Sequence, residues 1–160
     1  MQLVKRAIFT ILLALTTHFS FGQQLPLEDI FKIYTSDSLS LKQYCAEKNF
    51  ELIEVTEDAW VVFYNFRVNE KISFLKGYPK NQGTGSVHYN FSDYEDYKGF
   101  KKSIRQMGFN FEREQTNKVG NNSSNNFYYR DKTDDIILVI ERRKAKMIGF
   151  RLMLLRLPHF

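Results

Sequence analysis

The segment "AWVVFYNF", residues 59–66, sets Trp60, Val62, Tyr64 and Phe66 in one row and Val61, Phe63 and Asn65 in another. Successive side chains of a strand point to opposite faces, so one row meets a core while the other, also largely apolar, must be covered or used. "IILVI", residues 136–140, repeats the problem, because Ile136, Leu138 and Ile140 alternate with Ile137 and Val139. Two apolar faces imply either central strands covered on both sides or a recognition surface. The chain is thereby committed to a sheet with something to do on each face.

The elements around these strands follow from the same periodicities. "LPLEDIFKIY" spaces Leu27, Ile30, Phe31 and Tyr34 for one helical face. After the break at "TSDS", Leu41, Tyr44, Cys45 and Lys48 mark a second short helix in "LSLKQYCAEKNF". "FELIEV", "KISFLKG" and "SVHYNF" read as strands, and "RVNEK" is short and polar enough to turn a hairpin. "TNKVGNNSSNN" is expected to be an exposed irregular excursion between two strands, being polar and turn-prone.

The second half repeats the order of the first. With Lys42 placed on Lys101, Leu41 meets Phe100, Cys45 meets Ile104, Phe50 meets Phe109 and Leu52 meets Phe111. Each half reads as a helix and about four antiparallel strands, ending in the second half with "DIILVIE" and "KMIGFRLMLLR" joined by "RRKAK". Few identities are shared, so the recurring layout is the firmer observation and common ancestry stays open. The expected class is α+β: an antiparallel sheet with helices packed on one face, laid out as two tandem helix-plus-four-strand halves. The halves either join into one long sheet or pack as two small units, and short connections favour the first. The expected organisation is a signal peptide over 1–22 and a single α+β domain over 23–160, with pseudo-repeats 36–91 and 92–157.

The signal peptide rests on Lys5 and Arg6 ahead of an apolar run from Ala7 to Leu15, then polar and small residues ending at Gly22. A run this short does not make a permanent bilayer span. The expected location is secreted or periplasmic, with no stable transmembrane insertion after cleavage. Removing Lys5 and Arg6 lowers the basic count from 23 to 21 against 18 acids, and the formal charge from +5 to +3. That scattered excess does not argue for nucleic acid. Cys45 is the only cysteine, so no intramolecular disulfide can form, and a domain of about 138 residues has to rest on its apolar core. Cys45 itself is expected to be buried as a small hydrophobe.

The Gln-Gln start after the small-residue cut resembles exported proteins of Bacteroidetes-type bacteria, over the first two dozen residues only. The helix-plus-four-strand layout is similar to small tandem α+β modules of secreted inhibitors and envelope accessory proteins. The resemblance is one of layout and transfers no residue or activity.

"GYPKNQGTGSVHYNFSDYEDYKGF", residues 77–100, is the stretch that most looks like chemistry. A phosphate loop leads its glycines into a helix start with a lysine and a hydroxyl, whereas Gly83 and Gly85 lead into an alternating strand. Ser92 and Glu95 fit a capping box, with Asp93, Glu95 and Asp96 in a first turn that favours anions, and Gly108 is placed to end that helix. The three acids lack the ligand register of a calcium loop, and no Cys/His spacing suggests zinc. No metal, cofactor or catalytic residue is assigned.

His88 alternates with Val87, Tyr89 and Phe91, so it points away from their face. A general base would need a nucleophile and an orienting carboxylate, and no local motif supplies them. The expected function is an exported non-enzymatic binding or envelope accessory protein that recognises a protein, peptide or apolar ligand through Phe63, His88, Trp60 and Tyr64. The partner is expected to be an envelope or secreted protein. The competing expectation is a hydrolase-like enzyme that uses His88 with a carboxylate brought close by folding.

Overall fold

The computed structural model describes residues 24–81, 85–119, 122–132, 136–144 and 149–156. Segment 1–22, for which a signal peptide is expected, lies outside them. The described residues form three helices, α1 (Leu27–Thr35), α2 (Ser38–Glu47) and α3 (Tyr94–Gln106). Their eight strands are β1 (Glu51–Glu57), β2 (Val61–Asn69), β3 (Ile72–Pro79), β4 (Ser86–Phe91), β5 (Asn110–Val119), β6 (Asn122–Arg130), β7 (Ile136–Lys144) and β8 (Gly149–Arg156). All eight join one antiparallel sheet in the order β1-β2-β3-β4-β8-β7-β6-β5. The fold is mixed α+β. No helix among the described residues is long and apolar enough to cross a membrane.

A row of cross-strand partners builds the core. Phe66 lies opposite Phe74, Phe74 opposite Tyr89, Tyr89 opposite Leu152, Leu152 opposite Ile140, and Ile140 opposite Phe127. These side chains join Leu27, Ile30 and Ile33 of α1, Leu41 and Cys45 of α2, and Tyr97, Phe100 and Ile104 of α3 in one cluster. Burying each such side chain contributes roughly 1.5–3 kcal/mol relative to exposure. Aromatic contacts knit the layers: Phe66 stacks on Phe74 at 5.1 Å between ring centroids, and Tyr97 on Phe150 at 4.7 Å. The Tyr89 hydroxyl accepts a hydrogen bond from the Leu25 amide at 3.0 Å, so the segment leading into α1 is tied to the sheet.

Lys76 is the unusual member of this interior, 1 % exposed. Its ammonium donates to the Tyr34 carbonyl at 2.6 Å and lies 5.1 and 4.9 Å from the Tyr34 and Tyr78 ring centroids. Tyr34 belongs to the last turn of α1, where carbonyls lack intrahelical donors and the dipole favours a cation. The lysine thus caps a helix from the neighbouring strand.

The helix ends follow paired rules. Asp37 caps α2 by accepting from the Ser40 amide at 2.7 Å. At α3 the cap is Asp93, whose carboxylate accepts from the Glu95 and Asp96 amides at 2.6 and 3.2 Å. This corrects the expected box: Ser92 is not the cap, and Glu95 pairs with Lys98 at 2.8 Å. An aspartate one residue nearer the helix outcompetes the serine because its charge also complements the dipole. Asp93→Ala is expected to cost about 0.5–2 kcal/mol and Ser92→Ala almost nothing, as read from denaturant midpoints. Equal losses would place the helix start wrongly. At the other ends, Asn49 (φ 56°) and Gly108 (φ 87°) take the left-handed turn that closes α2 and α3. In each case the next phenylalanine, Phe50 or Phe109, donates its amide back into the helix, to Cys45 or Ile104.

A second expectation is corrected at "TNKVGNNSSNN". Strands β5 and β6 run through it as a hairpin, pairing Thr116 with Asn125, Asn117 with Ser124 and Lys118 with Ser123. Ladder bonds belong to the backbone, so polar side chains can line a strand that has water beside it.

Candidate binding face

The side chains alternating with the core row form two rows across the opposite side of the sheet. One runs Glu54, Asn65, Leu75, His88, Met153, Val139, Tyr128 and Arg113 in register. Beside it a polar row runs Glu51, Arg67, Ser73, Asn90, Arg151, Glu141, Asn126 and Gln115. Val139 and Ile137 are 2 % and 8 % exposed, yet neither belongs to the core cluster that contains the helices.

His88 sits mid-sheet between Leu75 of β3 and Met153 of β8, half-buried. Burial first, then the positive charge of Arg151, lowers its basicity below the ordinary histidine value, while Glu141 opposes this and Arg143 adds to it. The imidazole makes no hydrogen bond among the described residues. The polar row is connected: Arg151 donates from Nε to Asn90 Oδ1 at 3.0 Å, and Glu141 Oε2 lies 2.9 Å from Arg143 Nε and 3.9 Å from Arg151 Nε.

Phe63 lies on this same side, opposite Gly77. A Cβ added at Gly77 would come within 2.9 Å of the Phe63 ring, so the glycine is covered by the aromatic. Phe63 and Gly77, with Val61, Pro79, Gly85, Ser86 and Leu155, line a depression of about 190 Å³. Larger depressions, of about 500 and 750 Å³, lie along the α3 cations and beside the β2–β3 turn, and contain none of the four expected binding residues.

The four expected residues therefore do not converge. Phe63 and His88 share a face. Tyr64 points to the opposite side, edge-on to Tyr78 at 5.7 Å and with Lys42 5.4 Å from its centroid. Trp60 precedes β2 and is 69 % exposed; its amide donates to Asp58 at 2.7 Å and its carbonyl accepts from Lys80 at 2.8 Å. Asp58 takes the local turn that periodicity alone would have continued as strand. Arg151, Arg143, Glu141 and Asn90 were not singled out, because Asn90 and Arg151 are 61 residues apart and meet only through the β4–β8 pairing.

Glu141 is the carboxylate that acts electrostatically on His88, but its close contacts are the two arginines. Among the described residues, no group of three or more His, Cys, Asp or Glu is placed to hold a metal ion. Cys45 is buried and its thiol is pushed up to about 12 by desolvation, the behaviour of a packed hydrophobe rather than a nucleophile. The face offers an apolar strip flanked by hydrogen-bonded polar groups. No protein-family model, curated protein or solved structure matches the chain.

Proposed function

We propose that the chain is an exported, non-enzymatic protein that recognises another protein through the sheet face bearing Phe63 and His88. The observation that carries this reading is the strip of half-buried Phe63, Leu75, Met153 and Leu155, none of which belongs to the helix-containing core cluster. Apolar side chains gathered on a face that the helix cluster does not use are suited to contact with a partner. Export is supported by Lys5 and Arg6 ahead of the apolar run 7–15. A mature chain in an envelope or culture fraction with a mass that starts near Gln23 is the expected result; an uncut cytosolic chain alone would defeat export.

The layout belongs to the same reading. Shifting by the spacing from Lys42 to Lys101 carries Asn49 onto Gly108, the two left-handed helix ends, and the bulge after Leu52 onto the bulge after Phe111. Coincident caps and bulges support two tandem helix-plus-four-strand units, 36–91 and 92–157, joined at β4 and β8 with helices on one side and the other free for recognition. The hydrolase alternative draws less support, because among the described residues His88 has no hydrogen-bonded carboxylate and it lines none of the three depressions described.

Affinity capture from an envelope extract, with wild type, Phe63→Ala and His88→Ala each first checked for native folding, tests contact against chemistry. Phe63→Ala is expected to weaken capture by about 2 kcal/mol or more, as for a central aromatic anchor, and His88→Ala modestly. Capture lost with the histidine and intact without the phenylalanine would return attention to catalysis.

A further inference from the structure

The polar row beside His88 is unbalanced in charge. Glu141 is the shared carboxylate of two guanidiniums, Arg143 at 2.9 Å and Arg151 at 3.9 Å. Both contacts, and the bond from Arg151 to Asn90, use Nε, and the terminal NH₂ groups of the two arginines make no hydrogen bond among the described residues. An arginine carries five N–H donors in a planar fork, so each has most of its capacity unspent. Neither side chain is free in water: they are 39 % and 30 % exposed, and that of Glu141 is 17 %. Two partly buried cations and one anion leave a formal charge of +1 at the centre of the face. Burial first and then Arg151 lower the basicity of His88, with Glu141 opposing and Arg143 adding, so the histidine senses the same three charges.

Building on the protein-binding reading above, we infer that Arg143, Arg151 and His88 form a subsite for one carboxylate of the partner protein. That carboxylate is an aspartate or glutamate side chain whose apolar neighbours lie on the half-buried Leu75 and Met153. Charge complementarity selects this occupant. A carboxylate matches the forked donors and neutralises the single excess charge. A phosphate, carrying nearly two negative charges, would retain uncompensated charge close to Glu141. The flanking apolar row suits a peptide segment better than a free ion.

The arrangement also sets a pH response. On β3 the residues of this face nearest His88 are Leu75 and Ser73, both uncharged; β8 presents Arg151, and β7 beyond it presents Glu141 and Arg143. A bound carboxylate stabilises the imidazolium against the two arginines, so binding tightens as pH falls from neutrality through the histidine range.

Solution NMR of the folded protein can read this with two blocked tripeptides, acetyl-Phe-Glu-Leu-amide and its glutamine isostere. The glutamate peptide is expected to shift the His88 imidazole and the Arg143 and Arg151 side-chain signals, to raise the titration midpoint of His88, and to bind at least about tenfold more tightly than the glutamine peptide. Arg151→Gln should remove that difference while the spectrum stays native, and Arg143→Gln serves if Arg151→Gln does not fold. Equal affinity of the two peptides on this face would overturn the carboxylate subsite and leave face recognition standing. Binding of neither peptide, or shifts confined to the α3 lysines, would also overturn it, and the Phe63→Ala capture then judges the face separately. Stronger shifts of the same signals by inorganic phosphate than by the glutamate peptide would overturn it in favour of a phosphate site.

Discussion

Gly85→Ala is expected to destabilise the protein by about 3 kcal/mol or more, the upper range for overpacking, or to prevent folding. A methyl carbon at Gly85 would sit 1.6 Å from the Gly77 carbonyl oxygen and 2.7 Å from its carbon, with Pro79 Cδ at 3.3 Å. The first two are backbone atoms of β3, which pairs with β4 from Gly77 to Ser86, so no rotamer change relieves the clash. The ladder itself has to shift. Gly99→Ala is the matched control, since nothing lies within 4 Å of its added carbon in α3, and alanine there should stabilise the helix by roughly 0.5–1 kcal/mol. Denaturant unfolding of both variants checks the pair, and an unchanged midpoint for Gly85→Ala would mean that β3 and β4 do not approach as described. The glycine thus serves close backbone approach.

The second large effect is a stability that climbs with alkalinity at Lys76. Desolvation lowers its ammonium from the ordinary 10.5 to about 8 in the folded protein. Between those values the unfolded chain holds a proton that the folded chain has released, so the unfolded state binds more protons and folding stability rises with pH. The contribution is complete above 10.5 and is lost as pH falls through about 8, and the full span corresponds to about 3 kcal/mol. Cys45 works in the opposite direction, because its folded thiol stays protonated to about 12 while an unfolded thiol ionises earlier. Comparison with Lys76→Met cancels that effect, for methionine keeps the length and apolar character of the stem without a titrating group. Relative to this variant, the wild type is expected to gain about 2 kcal/mol between about pH 7.5 and about pH 9.5, below the range where unfolded tyrosines ionise. Parallel stability curves for the two proteins would show that the ammonium is not buried at the end of α1. The substitution should also loosen the last turn of α1, since the Tyr34 carbonyl loses its donor.

Much of the local structure could be read before any coordinates. The spacing of Leu27, Ile30 and Tyr34 placed α1, the position of Cys45 on an apolar helical face placed it in the core, and alternation around His88 put it opposite Tyr89. These are properties of periods 3.6 and 2, which act over a turn or a strand and leave their mark within about ten residues. Where two local solutions compete within a residue or two, the same reasoning slips: Asp93 displaced Ser92 as the cap, and the turn at Asp58 took Trp60 out of the strand. The polar letters of 116–126 concealed a ladder, because backbone pairing needs no apolar side chain when water is its neighbour.

The candidate face belongs to tertiary structure. Alternation alone announced that Phe63 and Val139 lay on apolar second faces, without saying that they share one. That depended on β4 choosing β8 as its neighbour, a contact between residues some sixty positions apart that brings His88 to Met153 and Asn90 to Arg151. Sequence determined the elements, their faces and the lone buried thiol, since backbone geometry and transfer from water act on each segment separately. Only the fold decided that two arginines would share one glutamate beside a histidine, because closing a long loop is favourable only when whole faces meet at once.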